Sequence, residues 1–367
     1  MSIAALGVRA LDQIRENQLV RRISERLPRA ESSRNGHQET DAELIEVGLV
    51  GQLLAVTTDS VSDEIALGLY DDPYEIGWVA VVASLSDLAA VAATPLGVLN
   101  SLSLASNWSQ SQCDALLEGM ADALRAHDTG VVGGDTNWGT ASINVTALGL
   151  VSRDRVVRRI GAQLGDHVFV SGPCGAGSLL ALQRFAVPGA LVTPFRPAAR
   201  LEFARAISGD VHCCMDTSDG LVAALDQLQR SNRILIQCED LSRAIAAPVQ
   251  QAFERAALPE LASLCGLHGE FELCYAIPSD RVGRMLAAAE RLGQCPVLVG
   301  HVVAADTDAS GLRLPSGWLD SGRIRNLWQE SSSPREYIAS LVGCVREAPT
   351  NDPSRDESMR GSAAACP

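Results

Sequence analysis

The chain of 367 residues contains no lysine, so every one of its 30 Lys+Arg residues is arginine. This excludes the phosphate-binding lysine of a Gly-x-x-x-x-Gly-Lys-[Ser/Thr] loop and any Schiff-base chemistry. Phosphate charge would have to be met by a metal ion, by arginine or by backbone N–H groups. Aromatic residues are scarce at 4%, and no apolar run approaches the roughly 18 to 20 residues of a membrane span. The opening Met1-Ser2-Ile3-Ala4-Ala5-Leu6 lacks a basic region followed by an apolar core, so the expectation is a cytoplasmic protein with no signal peptide and no membrane partner. The 10 cysteines include no Cys-x-x-Cys pair and make no disulfide framework. Cys213, Cys214, Cys238, Cys265, Cys274 and Cys295 lie in or beside apolar stretches and read as small buried thiols. A net charge of -14 argues against a non-specific nucleic-acid binder, which needs basic patches, and suits a protein that collects cations.

What the chain does contain is aspartate in a recurring setting, beside Gly, Ser or Thr at the ends of strand-like segments. The examples are Thr57-Thr58-Asp59, Ser86-Asp87-Leu88, Gly133-Gly134-Asp135-Thr136 and Asp216-Thr217-Ser218-Asp219-Gly220. Hard carboxylates suit Mg2+, which prefers oxygen ligands and shares its shell with water and substrate phosphates. Phosphoryl transfer needs that charge to neutralise and align the transferred group. Each piece has a plainer reading: Gly133–Asp135 as an ordinary turn, Asp87 as half of a structural pair, one of Asp216 and Asp219 as a helix cap. Gly172-Pro173-Cys174-Gly175-Ala176-Gly177 matches a dinucleotide fingerprint only loosely.

The length allows two domains. Residues 1–38 read as a helix and loop, with Ile3, Leu6, Val8, Leu11, Ile14, Leu19 and Ile23 at helical spacing. Residues 39–155 form a first α/β unit. It runs as a hairpin (44–50 and 53–57), a buried helix (75–93), a strand (98–104), a helix (109–127) with Leu116, Leu117, Met120 and Leu124 inward, and a strand (141–151). Residues 156–330 form a second unit with strands at 167–171, 213–216, 234–238, 271–278 and 297–303. Residues 331–346 add a helix, and the Pro-, Ser- and Asp-rich 347–367 read as a disordered tail.

Five motifs in one order carry a family resemblance over about residues 40 to 325: Thr57-Thr58-Asp59, Ser84-Leu85-Ser86-Asp87-Leu88-Ala89-Ala90, Gly133-Gly134-Asp135-Thr136, Arg159-Ile160-Gly161-Ala162-Gln163-Leu164-Gly165-Asp166 and Asp216-Thr217-Ser218-Asp219-Gly220-Leu221. The chain resembles thiamine-monophosphate kinases within the AIR synthetase (PurM-like) ATP-binding superfamily. The resemblance implies a two-domain α/β (α+β) PurM-like fold, with an N-terminal ATP-binding and dimerisation domain and a C-terminal α/β domain. It further implies a homodimer and Mg2+ with ATP as co-substrate. Asp59, Asp87, Asp135, Asp216 and Asp219 would ligate Mg2+, joined by the Thr57 hydroxyl, the Thr58 backbone and Asp41, which alone stands for a two-acid entry motif. Gly134, Asp135, Arg159 and Ser218 would hold ATP. Asp59, Asp135 and Asp219 would serve catalysis, and Glu270 would meet the substrate.

The acceptor half departs from the family. A histidine expected soon after Thr-Thr-Asp is absent, with Asp63, Glu64 and Ala66 in that stretch, and no aromatic occurs at 322–325. His268 beside Glu270 is a thin acceptor candidate, Trp138 reads as packing, and Cys366 followed by Pro367 lacks the terminal motif of substrate-carrying relatives. The leading expectation is a Mg-ATP-dependent phosphotransferase acting on thiamine monophosphate. The alternatives are a paralogue that activates another small acceptor and a non-catalytic nucleotide-binding scaffold.

Overall fold

The computed structural model describes residues 11–186, 193–266, 268–305 and 311–347. Two sheets organise it. The first has five strands in the order β1-β2-β5-β3-β4: β1 Glu43–Ile45, β2 Gln52–Ser60, β3 Thr94–Ala105, β4 Val131–Gly139 and β5 Ser142–Ser152. The second has seven in the order β12-β11-β8-β10-β6-β9-β7: β6 His167–Val170, β7 Cys213–Asp216, β8 Leu235–Cys238, β9 Leu273–Ile277, β10 Val297–Val303, β11 Leu312–Leu314 and β12 Gly317–Leu319. This mixed two-sheet α/β architecture agrees with the fold expected from the motifs.

The helices are α1 Arg15–Arg26, α2 Ser62–Leu67, α3 Pro73–Ala90, α4 Gln110–Ala126, α5 Ala176–Ala181, α6 Leu201–Ile207, α7 Leu221–Asn232, α8 Ala247–Arg255, α9 Val282–Arg291, α10 Ser321–Glu330 and α11 Pro334–Glu347. Helix α3 is the central one. Asp72 caps it by accepting the Tyr74 N–H at 3.0 Å, and Pro73 begins it where a missing N–H costs nothing. Its sequence is apolar on every side, and Ile76, Val79, Val81, Val82, Leu85 and Leu88 are all buried. A helix apolar all round belongs inside, and α3 lies between the first sheet and the second unit, touching β2, β5, β7, α4 and α6. Ser109 and Gln112 close a capping box at the start of α4. Alpha-3 and α4 approach backbone to backbone at two glycines. A Cβ on Gly77 would lie 2.1 Å from the Leu116 carbonyl, and one on Gly119 would lie 2.0 Å from the Tyr74 carbonyl.

In β5, burial alternates strictly: Ile143, Val145, Ala147 and Val151 face the helices and the other side is left half-open. Strand β9 is buried at every position because helices cover both faces of the second sheet. Its Leu273, Tyr275 and Ile277 join the core containing α3, while Cys274 and Ala276 join the core on the far side.

Several local expectations are revised. Residues 133–136 are not a turn after a strand; they lie within β4, paired in parallel with β3. Leu117 is 48% exposed, and Cys113 and Ala123 take inward positions instead. Cys295 is exposed, whereas Cys213, Cys214, Cys238, Cys265 and Cys274 are buried. Leu19 and Ile23 are exposed too, since α1 docks through polar atoms: the Asn17 amide donates to Gln227 at 3.2 Å and accepts from Gln38 at 2.5 Å. The loop before residue 39 adds to the first sheet through a Ser33–Ile45 bridge. The short β11–β12 hairpin gave no signal in the sequence pattern, having three residues per strand. Ile3, Leu6, Val8, the tail from 348 and Cys366 lie outside the described residues.

Gly119→Ala forces a methyl into the Tyr74 carbonyl, so a loss of about 1 to 3 kcal/mol is expected in a urea melt. An unchanged midpoint would contradict the close helix contact.

Candidate functional site: a buried carboxylate cluster

Three carboxylates from three distant segments converge. Asp41 precedes β1, Asp87 sits near the end of α3 and Asp216 ends β7, and one oxygen from each lies within 4.8 Å of the other two. Local structure aims each one. The Thr57 hydroxyl on β2 donates to Asp87 Oδ2 at 2.5 Å. Ser86, beside Asp87 on α3, donates to Asp216 Oδ2 at 2.7 Å, and Ser218 donates to Asp216 Oδ1 at 2.8 Å. The Ser84 hydroxyl, one α3 turn earlier, ties the helix to the sheet through the Val145 carbonyl at 2.7 Å. Thus one helix carries contacts to both sheets within three residues.

Three like charges at this range repel by roughly 3 to 4 kcal/mol per pair at an effective dielectric of about 20. Among the described residues, one cation pairs with them: Arg159 Nη2 donates to Asp41 Oδ1 at 2.8 Å. Burial opposes the charge on Arg159, but Asp41 foremost, then Asp87 and Asp216, outweigh it and raise its pKa. One arginine leaves the cluster net negative, and the acids record this. Burial first, then the charges of Asp59, Asp216 and Asp41, raise Asp87 well above the usual carboxylate range. Burial with the charge of Asp41 pushes Asp216 up to about 7, despite the opposing help of Ser86, Ser218 and Arg159. Asp59 is raised by burial and by the charge of Asp41, partly offset by the nearby Ser84 hydroxyl. Asp41 Oδ2 and Asp59 Oδ2 are buried without any hydrogen-bond partner.

Orphaned buried carboxylate oxygens are costly. An all-oxygen donor set with spare lone pairs is what a hard divalent cation needs, so these residues fit Mg2+.

The remaining sequence-derived residues are distributed around this cluster. Asp219 is exposed at its rim, within electrostatic range of Arg325, Arg159 and Asp59. Thr58 points to the other sheet face, where its hydroxyl accepts from Thr146 at 3.0 Å. Gly134 lies in one cross-strand row with Asn100, Val145 and Asp59. A Cβ there would meet the Asn100 carbonyl at 2.1 Å. Asp135 is not brought to the cluster: it is exposed in the Ser101 row, on the opposite face, and accepts from the Asn137 amide at 2.7 Å. Glu270 is 7% exposed, accepts the Gly175 N–H at 2.5 Å and is pushed by burial up to about 7. Its neighbour Glu272 pairs with Arg200. His268 is half-buried and held neutral, its pKa lowered by desolvation to about 4.

Two groups near the cluster escaped the sequence reading. Glu64 lies close enough to Asp219 and Asp59 to feel their charge. Arg325, at a position noted only for lacking an aromatic, hydrogen-bonds Asp226 at 3.1 Å and Gln227 at 2.7 Å. No motif marks either, because both act through tertiary neighbours.

In metal-free protein the raised pKa of Asp216 has a definite sign. The folded state holds its proton up to about pH 7 while the unfolded chain releases it near 3.8, so this stability is present below pH 3.8 and lost on rising through pH 7. Asp216→Asn should flatten that loss in EDTA and abolish stabilisation by Mg2+, both read by thermal melts. Retention of the Mg2+ effect in the variant would remove Asp216 from the metal set.

Comparison with known proteins identifies the family. The family described as AIR synthase related protein, N-terminal domain, matches residues 39–151. The thiamine-monophosphate kinase of Synechococcus elongatus is 32% identical over 269 residues, covering 69% of this chain and 80% of the relative. That of Haemophilus influenzae is 29% identical over 260 residues, covering 68% and 77%. The crystal structure of thiamine-monophosphate kinase from Stenotrophomonas maltophilia K279a superposes with a TM-score of 0.63 at 28% identity, over 82% of this chain and 97% of that one. AaThiL complexed with AMPPCP and TMP, at 23% identity and a TM-score of 0.63, shares the fold over 80% of this chain and 92% of its own. No helix among the described residues is long and apolar enough to cross a membrane. The chain belongs to the thiamine-monophosphate kinase-like branch of the AIR synthase-related (PurM-like) superfamily.

Proposed function

We propose that this chain is a Mg-ATP-dependent phosphotransferase that converts thiamine monophosphate and ATP into thiamine diphosphate and ADP. The observation that carries the reading is the Asp41–Asp87–Asp216 cluster with its orphaned oxygens, set in a family of such kinases. A protein of the same fold solved with AMPPCP and TMP adds support.

In the proposed reaction a phosphate oxygen of the acceptor attacks the γ-phosphorus, and the bond from that phosphorus to the β–γ bridging oxygen breaks, releasing ADP. The acceptor phosphate is largely dianionic near neutral pH, so the step needs no strong base. Mg2+, when bound, would supply the charge that neutralises the nucleotide phosphates. Asp41, Asp87 and Asp216 would hold it, with Asp59 within electrostatic range of Asp87 and Asp219 within range of Asp59. Thr57, Ser86 and Ser218 fix the carboxylate orientations before any ligand arrives, so catalysis is chiefly positioning. Arg159 balances the acids from one side, and its buried Nε has no partner, which leaves a donor for a phosphate oxygen.

We infer a homodimer from the first sheet. Leu96, Leu99, Val131, Val132 and Trp138 are exposed on it, and Gly134 and Asp135 lie on its edge strand. A second copy packed along the β4 edge would bring another surface beside Asp135. Light scattering should return twice the chain mass of 38.8 kDa, and a monomer at micromolar concentration would refute the dimer.

A phosphorus NMR time course with MgATP and thiamine monophosphate tests the activity. Matched growth of ADP and thiamine diphosphate is expected, with a fall of at least a hundredfold in Asp87→Asn. Bound MgATP without diphosphate formation would reject this acceptor.

A further inference from the structure

Away from the acid cluster, a cavity of about 470 Å³ opens between the two units. Its first-unit wall comes from the ends of β2, β3 and β5, with Gln52, Thr94, Leu150 and Ser152. Its second-unit wall is Arg205 and Ser208, at the end of α6. Arg155, in the segment after β5, crosses to that second wall: a Cβ on Gly209 would lie 2.6 Å from its Nη1. From Gln52 to Thr57, whose hydroxyl holds Asp87, β2 runs roughly 17 Å at strand spacing. The cavity is therefore distinct from the place where the acids would hold a metal-bound phosphate.

Folding does not account for the two arginines. Among the described residues, neither Arg155 nor Arg205 closes an ion pair, and neither guanidinium makes a hydrogen bond within the chain. The chain has 44 acidic residues against 30 basic ones, so acids to pair them with are not in short supply. The groups beside them are engaged elsewhere: Asp210 holds Arg284 at 2.6 Å, and the Gly209 carbonyl accepts from Arg281 at 3.3 Å. Arg205 lies in the last turn of α6, where the helix dipole favours a cation. That explains one positive charge but not Arg155, which another unit brings to the same turn against like-charge repulsion. The result is an electropositive pocket on a protein of net charge -14.

Two guanidinium groups suit phosphate, because each planar fork can grip two oxygens at once. The Thr94 and Ser152 side chains on the facing wall add hydroxyl donors. Ala92, Leu96, Leu150 and Val151 make the rest of the lining apolar. The volume falls in the range of small-molecule sites, roughly 300 to 1,000 Å³, and exceeds what a phosphate alone fills. We infer that this cavity is a second anion site, which takes a phosphate monoester with an apolar remainder. Its phosphoryl oxygens would meet Arg155 and Arg205, and its body would lie against Leu96 and Leu150. The inference stands apart from the phosphotransferase reading, since none of these residues belongs to the acid cluster. Leu96 also belongs to the exposed apolar set of the proposed dimer, so the cavity opens beside that contact.

Titration calorimetry in EDTA, without Mg2+, tests it with phenyl phosphate, inorganic phosphate and benzyl alcohol. Wild-type protein should bind one phenyl phosphate per chain, about threefold or more tightly than inorganic phosphate, and no benzyl alcohol. Arg155→Gln and Arg205→Gln should each weaken phenyl phosphate about tenfold or more, as loss of a charge-assisted hydrogen bond requires. Unchanged melting midpoints would show that both variants fold. Arg159→Gln, on the metal side, should leave this affinity as it was. The inference is overturned if neither anion binds, if binding survives undiminished in either variant, or if Arg159→Gln abolishes it instead. Equal affinity for the two anions would overturn the apolar half of the assignment. Wild-type dimers that bind no anion and fall to monomers in the two variants would give the arginines to the contact with a second copy, and refute the site.

Discussion

Repulsion among Asp41, Asp87 and Asp216 is the constraint around which this molecule is arranged. A protein interior does not hold three carboxylates within 4.8 Å unless something else is satisfied by doing so. The chain meets the cost with Arg159 and with three hydroxyl donors, and burial together with the remaining like charge still raises the pKa values of Asp87 and Asp216. A divalent cation removes that imbalance directly. The absence of lysine sharpens the point, since no flexible ammonium is available to wander into the cleft and quench it.

The fold serves this convergence through α3. Its apolar surface on all sides lets it lie between the two sheets, and glycines at 77 and 119 bring α4 down to backbone contact. With the helix fixed on both flanks, Ser84, Ser86 and Asp87 reach the first sheet, the second sheet and the cluster from one turn. A shift of α3 by a fraction of an ångström would therefore disturb both halves of the site together. Positioning of this kind suits phosphoryl transfer, in which the protein does little covalent chemistry.

Much of this was legible from sequence because the chemistry is local. Asp87 within an Ala-rich helix, Asp216 at a strand end and Thr57 ahead of Asp59 each carry their partner or their element in the adjacent residues. The long strands β3, β5 and β10 were also legible, since strand periodicity over seven or more residues is a strong signal. What failed depended on tertiary context. Residues 133–136 look like a glycine turn in isolation but become strand when β3 offers a parallel partner. Asp135 shares its motif with the cluster residues, yet strand alternation turns it to the opposite face. Glu64 belongs to no motif, and only its buried, unpartnered Oε2 marks it out. The exposed flank of α1 likewise follows from docking through Asn17, which hydropathy spacing could not anticipate.

The central claim is that the three acids form a metal site, and the most direct measurement is an anomalous difference map from crystals grown with Mn2+ in place of Mg2+. The account predicts a peak about 2.1 to 2.2 Å from oxygens of Asp41, Asp87 and Asp216, with Arg159 still against Asp41. A map without a peak there, with the acids unmoved and protonated, would make the cluster a structural feature and contradict the account.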